Sequence, residues 1–201
     1  MRRLIAILCL MLGACATSID KQNSSLIHAS PCCSSVAEFR YQRILPGMKK
    51  FKIDQSAPVF DFEEGRSYFA AFEIPENSNR HFRVKSYFNG LFIGQYFDPV
   101  ILVLDSQYRP LTTGSLELQF VDGNMFKDNN AHMLGEFRVD SEAKYFVVLT
   151  TEFEGMAPVA RTEPMGYGYM VGSVPVMGTT SGLSIQLERS PRGTLRIEPI
   201  P

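Results

Sequence analysis

His81-Phe82-Arg83-Val84-Lys85-Ser86-Tyr87-Phe88, followed a short way on by Val100-Ile101-Leu102-Val103-Leu104, decides the fold class. In the first run Phe82, Val84, Ser86 and Phe88 alternate with Arg83, Lys85 and Tyr87, the period of two that marks a half-buried strand. The second run is apolar at every position, which suits a strand buried on both faces. Pro99 stands just before it, where a missing ladder donor is tolerated.

Working outward, the same signals recur along the chain. Residues 36–45 alternate Val36, Glu38, Arg40 and Gln42 against Ala37, Phe39, Tyr41 and Arg43. Short strand-like runs follow at 51–54, 59–62 and 67–74, then at 115–121, where Leu116, Leu118 and Phe120 alternate with Glu117 and Gln119. Runs at 133–140 and 144–151 are separated by Ser141-Glu142-Ala143, a hairpin-length connection. Runs at 183–188 and 194–198 flank Arg189–Gly193, whose Pro191 and Gly193 suit another hairpin turn. No window carries an apolar stripe at helical spacing. Many short β-branched and aromatic runs punctuated by turns predict an all-β fold, a single antiparallel β-sandwich of jelly-roll-like type over residues 36–199.

The N-terminus predicts an export signal. Arg2 and Arg3 precede an apolar stretch from Leu4 to Leu12 that is too short to cross a ~30 Å hydrocarbon core. Leu12-Gly13-Ala14-Cys15 then resembles a bacterial lipobox, which makes residues 1–14 a signal peptide and Cys15 the lipidated first mature residue. Ala16 and Thr17 follow in place of the aspartate that retains lipoproteins at the inner membrane. The expected location is therefore the outer membrane, with the protein lipid-anchored and facing the periplasm. Residues 15–35 are rich in Ser and small polar residues and read as a lipidated flexible tether.

Composition narrows the function. The 201 residues carry 20 basic and 21 acidic side chains, and losing Arg2 and Arg3 leaves 18 against 21, a net charge of −3. That balance offers no basic footprint for nucleic acid. Cys9 leaves with the signal and Cys15 takes lipid, so Cys32 and Cys33 are the remaining thiols. Three readings stay open for this adjacent pair: a vicinal disulfide, bridges to another molecule, or two thiols without a fixed role. A zinc site would need more ligands at suitable spacing than His28 supplies.

No catalytic, cofactor or metal site is expected. His28, His81 and His132 stand in no recognisable catalytic context, and no Gly-x-Ser-x-Gly is present. Asp61, Glu63 and Glu64 read as solvated turn carboxylates before Gly65 rather than a glycosidase pair. Asp122-Gly123-Asn124 and Asp128-Asn129-Asn130 are turn chemistry without the closing glutamate of an EF-hand. Gly166-Tyr167-Gly168 lacks the lysine of a phosphate loop.

Residues 155–182 break the pattern. They hold Pro158, Pro164 and Pro175, several glycines and four of the nine methionines, and they read as a long Gly/Pro/Met-rich loop. Tyr167, Tyr169 and Met170 within it are the candidate partner or ligand contacts, the other reading being a surface flap that packs its Met and Tyr on its own sandwich. For sugar stacking the chain has no Trp, and Tyr87, Tyr96, Tyr108, Tyr167 and Tyr169 are the candidate substitutes.

The stretch Phe97-Asp98-Pro99-Val100-Ile101-Leu102-Val103-Leu104-Asp105, then Pro110, Leu134-Gly135-Glu136-Phe137-Arg138-Val139 and Tyr145-Phe146-Val147-Val148-Leu149-Thr150-Thr151-Glu152, resembles the MalM family, the maltose operon periplasmic proteins. The likeness extends in outline over residues 36–198. It is a pattern of strands and turns, in which Asp98, Asp105 and Thr150-Thr151-Glu152 cap strand ends. The resemblance implies a non-enzymatic role accessory to carbohydrate transport of the maltose or maltodextrin type, with an oligosaccharide or envelope and transport proteins as partners. The lipobox, Cys32-Cys33 and the missing Pro/Ala-rich tail depart from that family. The rival expectation is a structural or interaction lipoprotein of the outer-membrane envelope with no sugar role.

Overall fold

A computed structural model describes residues 18–45, 47–76, 78–89, 94–122, 130–151, 159–161, 166–171, 174–179 and 184–200. Among these residues helix α1 (Ile19–Ile27) and a 3-10 turn at Val36–Glu38 precede eighteen strands. They are β1 (Gln42–Arg43), β2 (Phe51–Ile53), β3 (Val59–Phe62), β4 (Gly65–Tyr68), β5 (Ala70–Glu73), β6 (His81–Tyr87), β7 (Gln95–Phe97), β8 (Val100–Leu104), β9 (Pro110–Ser115), β10 (Gln119–Val121), β11 (His132–Arg138), β12 (Tyr145–Leu149), β13 (Val159–Arg161), β14 (Gly166–Val171), β15 (Val174–Thr179), β16 (Ser184–Gln186), β17 (Glu188–Ser190) and β18 (Gly193–Pro199).

Two five-stranded sheets form the body, ordered β1-β5-β12-β8-β9 and β10-β11-β6-β18-β2. The fold is an all-β sandwich, and its pairing is nested. β8 pairs with β9, β6 with β11, β5 with β12 and β2 with β18, all antiparallel. A chain folded once on itself and wrapped into two sheets in this way is a jelly roll.

Alternation explains which residues meet. Ala70 and Phe72 of β5, Ile101 and Val103 of β8, and Phe146 and Val148 of β12 face Phe82 and Val84 of β6, Leu195 and Ile197 of β18, and Ile53 of β2 across the inter-sheet core. Phe146 lies at its centre, 5.2 Å from the ring of Phe72, 5.4 Å from Phe82 and 5.2 Å from Phe137. The outer face of the second sheet is polar, with Glu136 bound to Arg83 at 2.8 Å and His81 at 3.1 Å.

The central strands of the first sheet are covered on both faces. Val100, Leu102 and Leu104 of β8, with Val147 and Leu149 of β12, point away from the sandwich core and are covered by Phe39, Phe62 and Phe69. Phe39 is the hub of that cover, with its ring 4.1 Å from Phe69 and 5.0 Å from Phe60. Residues 36–45, expected as one strand, therefore serve differently. Apart from the two residues of β1, which pair in parallel with β5, they form a turn and an extended arm whose Phe39 and Tyr41 pack on the sheet.

Both expected hairpins are corrected. β11 and β12 lie in different sheets, so Ser141-Glu142-Ala143 forms a corner of the sandwich, where Arg80 Nη1 donates to the carbonyls of Asp140 and Ala143. A short connection suits either arrangement. What separates the strands is that β12 is apolar on both faces and β11 on one. Likewise Arg189–Gly193 is no hairpin, because β17 pairs in parallel with β7 while β18 joins β6 and β2.

Two expected irregular segments contain regular structure. Within the stretch read as a flexible tether, α1 docks with Leu26 in the inter-sheet core. Its last carbonyls are held from across the fold, where Arg66 Nη1 donates to Ile27 O at 2.7 Å. Within the expected loop 155–182, β14 and β15 pair as a hairpin and β13 pairs with β16. The register brings Val171 opposite Val174.

Among the described glycines Gly193 is the most tightly approached, since a Cβ there would collide with the Cβ of Phe97, which is fully buried. Gly193→Val is expected to destabilise the domain by about 1–3 kcal/mol through overpacking. Urea unfolding of the two proteins checks this, with a lower midpoint at unchanged m-value as the outcome.

Candidate functional site

The tyrosines assemble where the covering arm ends. Tyr145 opens β12 on the outer face of the first sheet, Tyr41 closes the arm, and Tyr108 lies in the connection between β8 and β9. Ring centroids are 4.5 Å apart for Tyr41 and Tyr145, 5.6 Å for Tyr41 and Tyr108, and 4.8 Å for Tyr108 and Tyr145, the last pair stacked at 12°. All three rings are half-buried.

Backbone strain sets Tyr108 in place. Its φ of 61° is a left-handed conformation that bulky residues rarely adopt, at a cost of about 1–3 kcal/mol. Asp105 offsets it. The Oδ1 of Asp105 accepts from the backbone N–H of Gln107 at 2.7 Å and of Arg109 at 2.9 Å, and its Oδ2 accepts from Arg109 Nε at 2.7 Å. Those bonds, the backbone N–H of Arg109 first, hold the Asp105 carboxyl below the ordinary carboxylate range. Asp105 thus caps the turn as its sequence position implied.

Tyr41 and Tyr145 hold their phenol protons more tightly than an ordinary tyrosine does. Tyr145 is pushed up to about 12, first by its hydrogen bond with Tyr108 and then by burial. Burial, with Tyr108 and Tyr145 nearby, drives Tyr41 higher still. Lys144 Nζ lies 3.5 Å from both Glu73 and Glu76 at the rim. The cluster thus joins apolar ring surface and hydroxyls to a charged rim.

A second polar cluster is buried where the N-terminal helix meets the body. Gln22 of α1 donates through Nε2 to Gln95 Oε1 at 2.9 Å and accepts at Oε1 from Ser190 Oγ at 2.7 Å. All three side chains are buried. Beside them Asp98 Oδ2 lies 2.9 Å from Arg189 Nε, yet burial raises the Asp98 carboxyl more than the guanidinium lowers it. Asp98 was expected as a turn cap and instead forms this ion pair. The cluster is a latch that fixes α1 to β7 and β17.

Other sequence candidates scatter. His28 is exposed with Nδ1 at 2.7 Å from Ser24 O, His81 pairs with Glu136, and His132 is buried with Nδ1 at 2.9 Å from Asn130 O. Asp61 is bound by Arg66 at 2.6 Å, which lowers its carboxyl. Among the described residues no group of three or more His, Cys, Asp or Glu is placed to hold a metal ion. Tyr87 and Tyr96 are buried and so present no open ring face. Tyr167, Tyr169 and Met170 lie on β14, and Cys15 lies outside the described residues. Cys32 and Cys33 are joined as a vicinal disulfide, the first of the three readings, with the Cys32 N–H donating to Val59 O at 2.8 Å. Neither Tyr41 nor Tyr145 was singled out in the sequence, because nothing local brings them to Tyr108.

Comparison with known proteins returns no matching family model, curated protein or solved structure.

The raised phenol of Tyr145 predicts an alkaline transition. The folded-state value of Tyr145 lies above the ordinary ~10, so the folded chain holds this proton longer than the unfolded one. The resulting stability is complete below pH ~10 and is lost as pH rises toward about 12. Urea midpoints measured across that window should fall more steeply for the wild type than for Tyr145→Phe.

Proposed function

We propose that this chain is a non-enzymatic lipoprotein, anchored through Cys15 to the outer membrane and facing the periplasm, that assists carbohydrate transport of the maltose or maltodextrin type. The observation that carries the reading is the half-buried cluster of Tyr41, Tyr108 and Tyr145. A sugar presents C–H faces to aromatic rings and hydroxyls to polar neighbours, and this cluster offers both from one end of a rigid sheet. The resemblance of residues 97–105, 134–139 and 145–152 to the MalM family points the same way. Those residues build β8, β11 and β12, and Tyr145 and the Asp105 turn of the cluster belong to them. Jelly rolls serve many purposes, so the fold adds no weight of its own.

One observation favours a different reading, an envelope interaction lipoprotein without a sugar role. β9 is a sheet edge whose six residues are all exposed and uncharged, from Pro110 through Leu111, Thr112, Thr113 and Gly114 to Ser115. Uncharged edges pair readily with other chains.

Calorimetry of the full mature chain against maltoheptaose decides between them. Millimolar binding that Tyr108→Ala weakens at least tenfold is the expected result. Absence of heat, together with an unchanged melting temperature at saturating sugar, would sink direct sugar contact and leave the interaction reading.

A further inference from the structure

Residues 164–187 contain no Asp, Glu, Lys or Arg, the longest such run in the chain. Within it β14 and β15 form a two-stranded sheet that, among the described residues, is hydrogen-bonded to no other strand. Residues directly opposite in an antiparallel pair share a face. The register therefore places Tyr167, Tyr169, Val171, Val174 and Val176 at positions of one face of the hairpin. A lone hairpin is marginal in water and needs a surface to lie against.

The chain path indicates which surface. β16 runs through the fully buried Leu187 into β17, whose Ser190 is hydrogen-bonded to Gln22 of α1. Hence the uncharged run joins the body, at Leu187 and β17, at the corner where α1 is latched. Cys15 lies four residues before Ile19, the first residue of that helix, a span of at most ~14 Å. A bilayer holding acyl chains on Cys15 is thus close to the corner at which the run that carries the hairpin joins the body.

We propose that the β14–β15 hairpin is a second membrane contact, lying in the interfacial layer of the leaflet that carries the Cys15 acyl chains. The occupant of the face that carries Tyr167, Tyr169 and the three valines is lipid, and the opposite face, with Met170, Pro175 and Met177, carries no charge either. Val171, Val174 and Val176 supply apolar area, and the phenols of Tyr167 and Tyr169 suit the headgroup level, where aromatic rings with a polar tip concentrate. Because the run carries no charge, insertion depends on apolar burial and not on anionic headgroups, which makes it insensitive to salt. Two attachments to one membrane also fix the orientation of the sandwich, which a single lipid on a free tether does not. The proposal rests on the anchored reading, and its test separates the two.

The chain has no Trp, so one introduced indole is an unambiguous reporter. Tyr169→Trp and, as a control on the exposed edge strand β9, Leu111→Trp are each placed in the full mature chain bearing Cys15→Ser, which removes the lipid. Each is mixed with phosphatidylcholine–phosphatidylethanolamine vesicles containing brominated acyl chains. The expected result is a blue shift and quenching of the emission from the Tyr169→Trp protein, equal at low and high salt, with the Leu111→Trp protein unchanged. Adding Val174→Asp to the hairpin reporter should weaken vesicle partition about tenfold or more, since a carboxylate resists leaving water. No shift and no quenching at position 169 would overturn the hairpin contact, even where wild-type protein is found lipidated at Cys15. A shift at position 169 that appears only with envelope proteins, and not with vesicles, would overturn it too. Conversely, insertion of the position-169 reporter together with an unmodified Cys15 in cells would uphold the lipid contact of the hairpin and overturn its standing as a second attachment beside an anchor.

Discussion

The structure depends on covering the outer face of its first sheet. Val100, Leu102, Leu104, Val147 and Leu149 point away from the sandwich core, and burying five such side chains contributes roughly 7–15 kcal/mol. That is about the whole net stability of an ordinary domain. A sandwich of two sheets alone would leave this face in water, so the arm around Phe39 and the β3–β4 hairpin act as a third layer and not as decoration.

Much follows from that requirement. Because Phe39 must reach the sheet, the chain before it is drawn onto the body, and Cys32 meets the edge of β3. Helix α1 then lies within reach of β7 and β17, where Gln22 completes a buried polar network that is satisfied on both sides of its amide. The arm closes with Tyr41, which meets Tyr108 and Tyr145 at the end of the covered face. A packing constraint thus places both the corner where α1 is latched and the aromatic cluster.

The sequence revealed what depends on local periodicity. Alternation in His81–Phe88 and the unbroken apolar run Val100–Leu104 identified a one-faced and a two-faced strand, and both lie in the structure as read. Apolar patterning also implied the all-β sandwich. It was blind to partnership. A three-residue link fits a hairpin or a corner, so it does not reveal that β11 and β12 lie in different sheets, and the partner of Gly193 is Phe97, far away in the chain. Residues 36–45 alternate as a strand does, yet the need to cover the first sheet overrode that propensity. Of the tyrosine cluster only Tyr108 stood out, since its left-handed backbone and the approach of Tyr41 and Tyr145 are tertiary facts. The Gly/Pro-rich composition of 155–182 hid the β14–β15 pairing, which Gly168 and Pro175 tolerate because each lies in a two-stranded sheet.

Phe39→Ala tests the third layer most directly, since Phe39 is the hub of the cover and is 6% exposed. Hydrogen exchange and urea unfolding of this variant should show a loss of about 3–5 kcal/mol, with protection falling at residues 100–104 and 145–149 ahead of β6 and β18. A loss under about 1 kcal/mol with unchanged exchange along those two strands would contradict the account, because it would mean the sandwich stands without its cover.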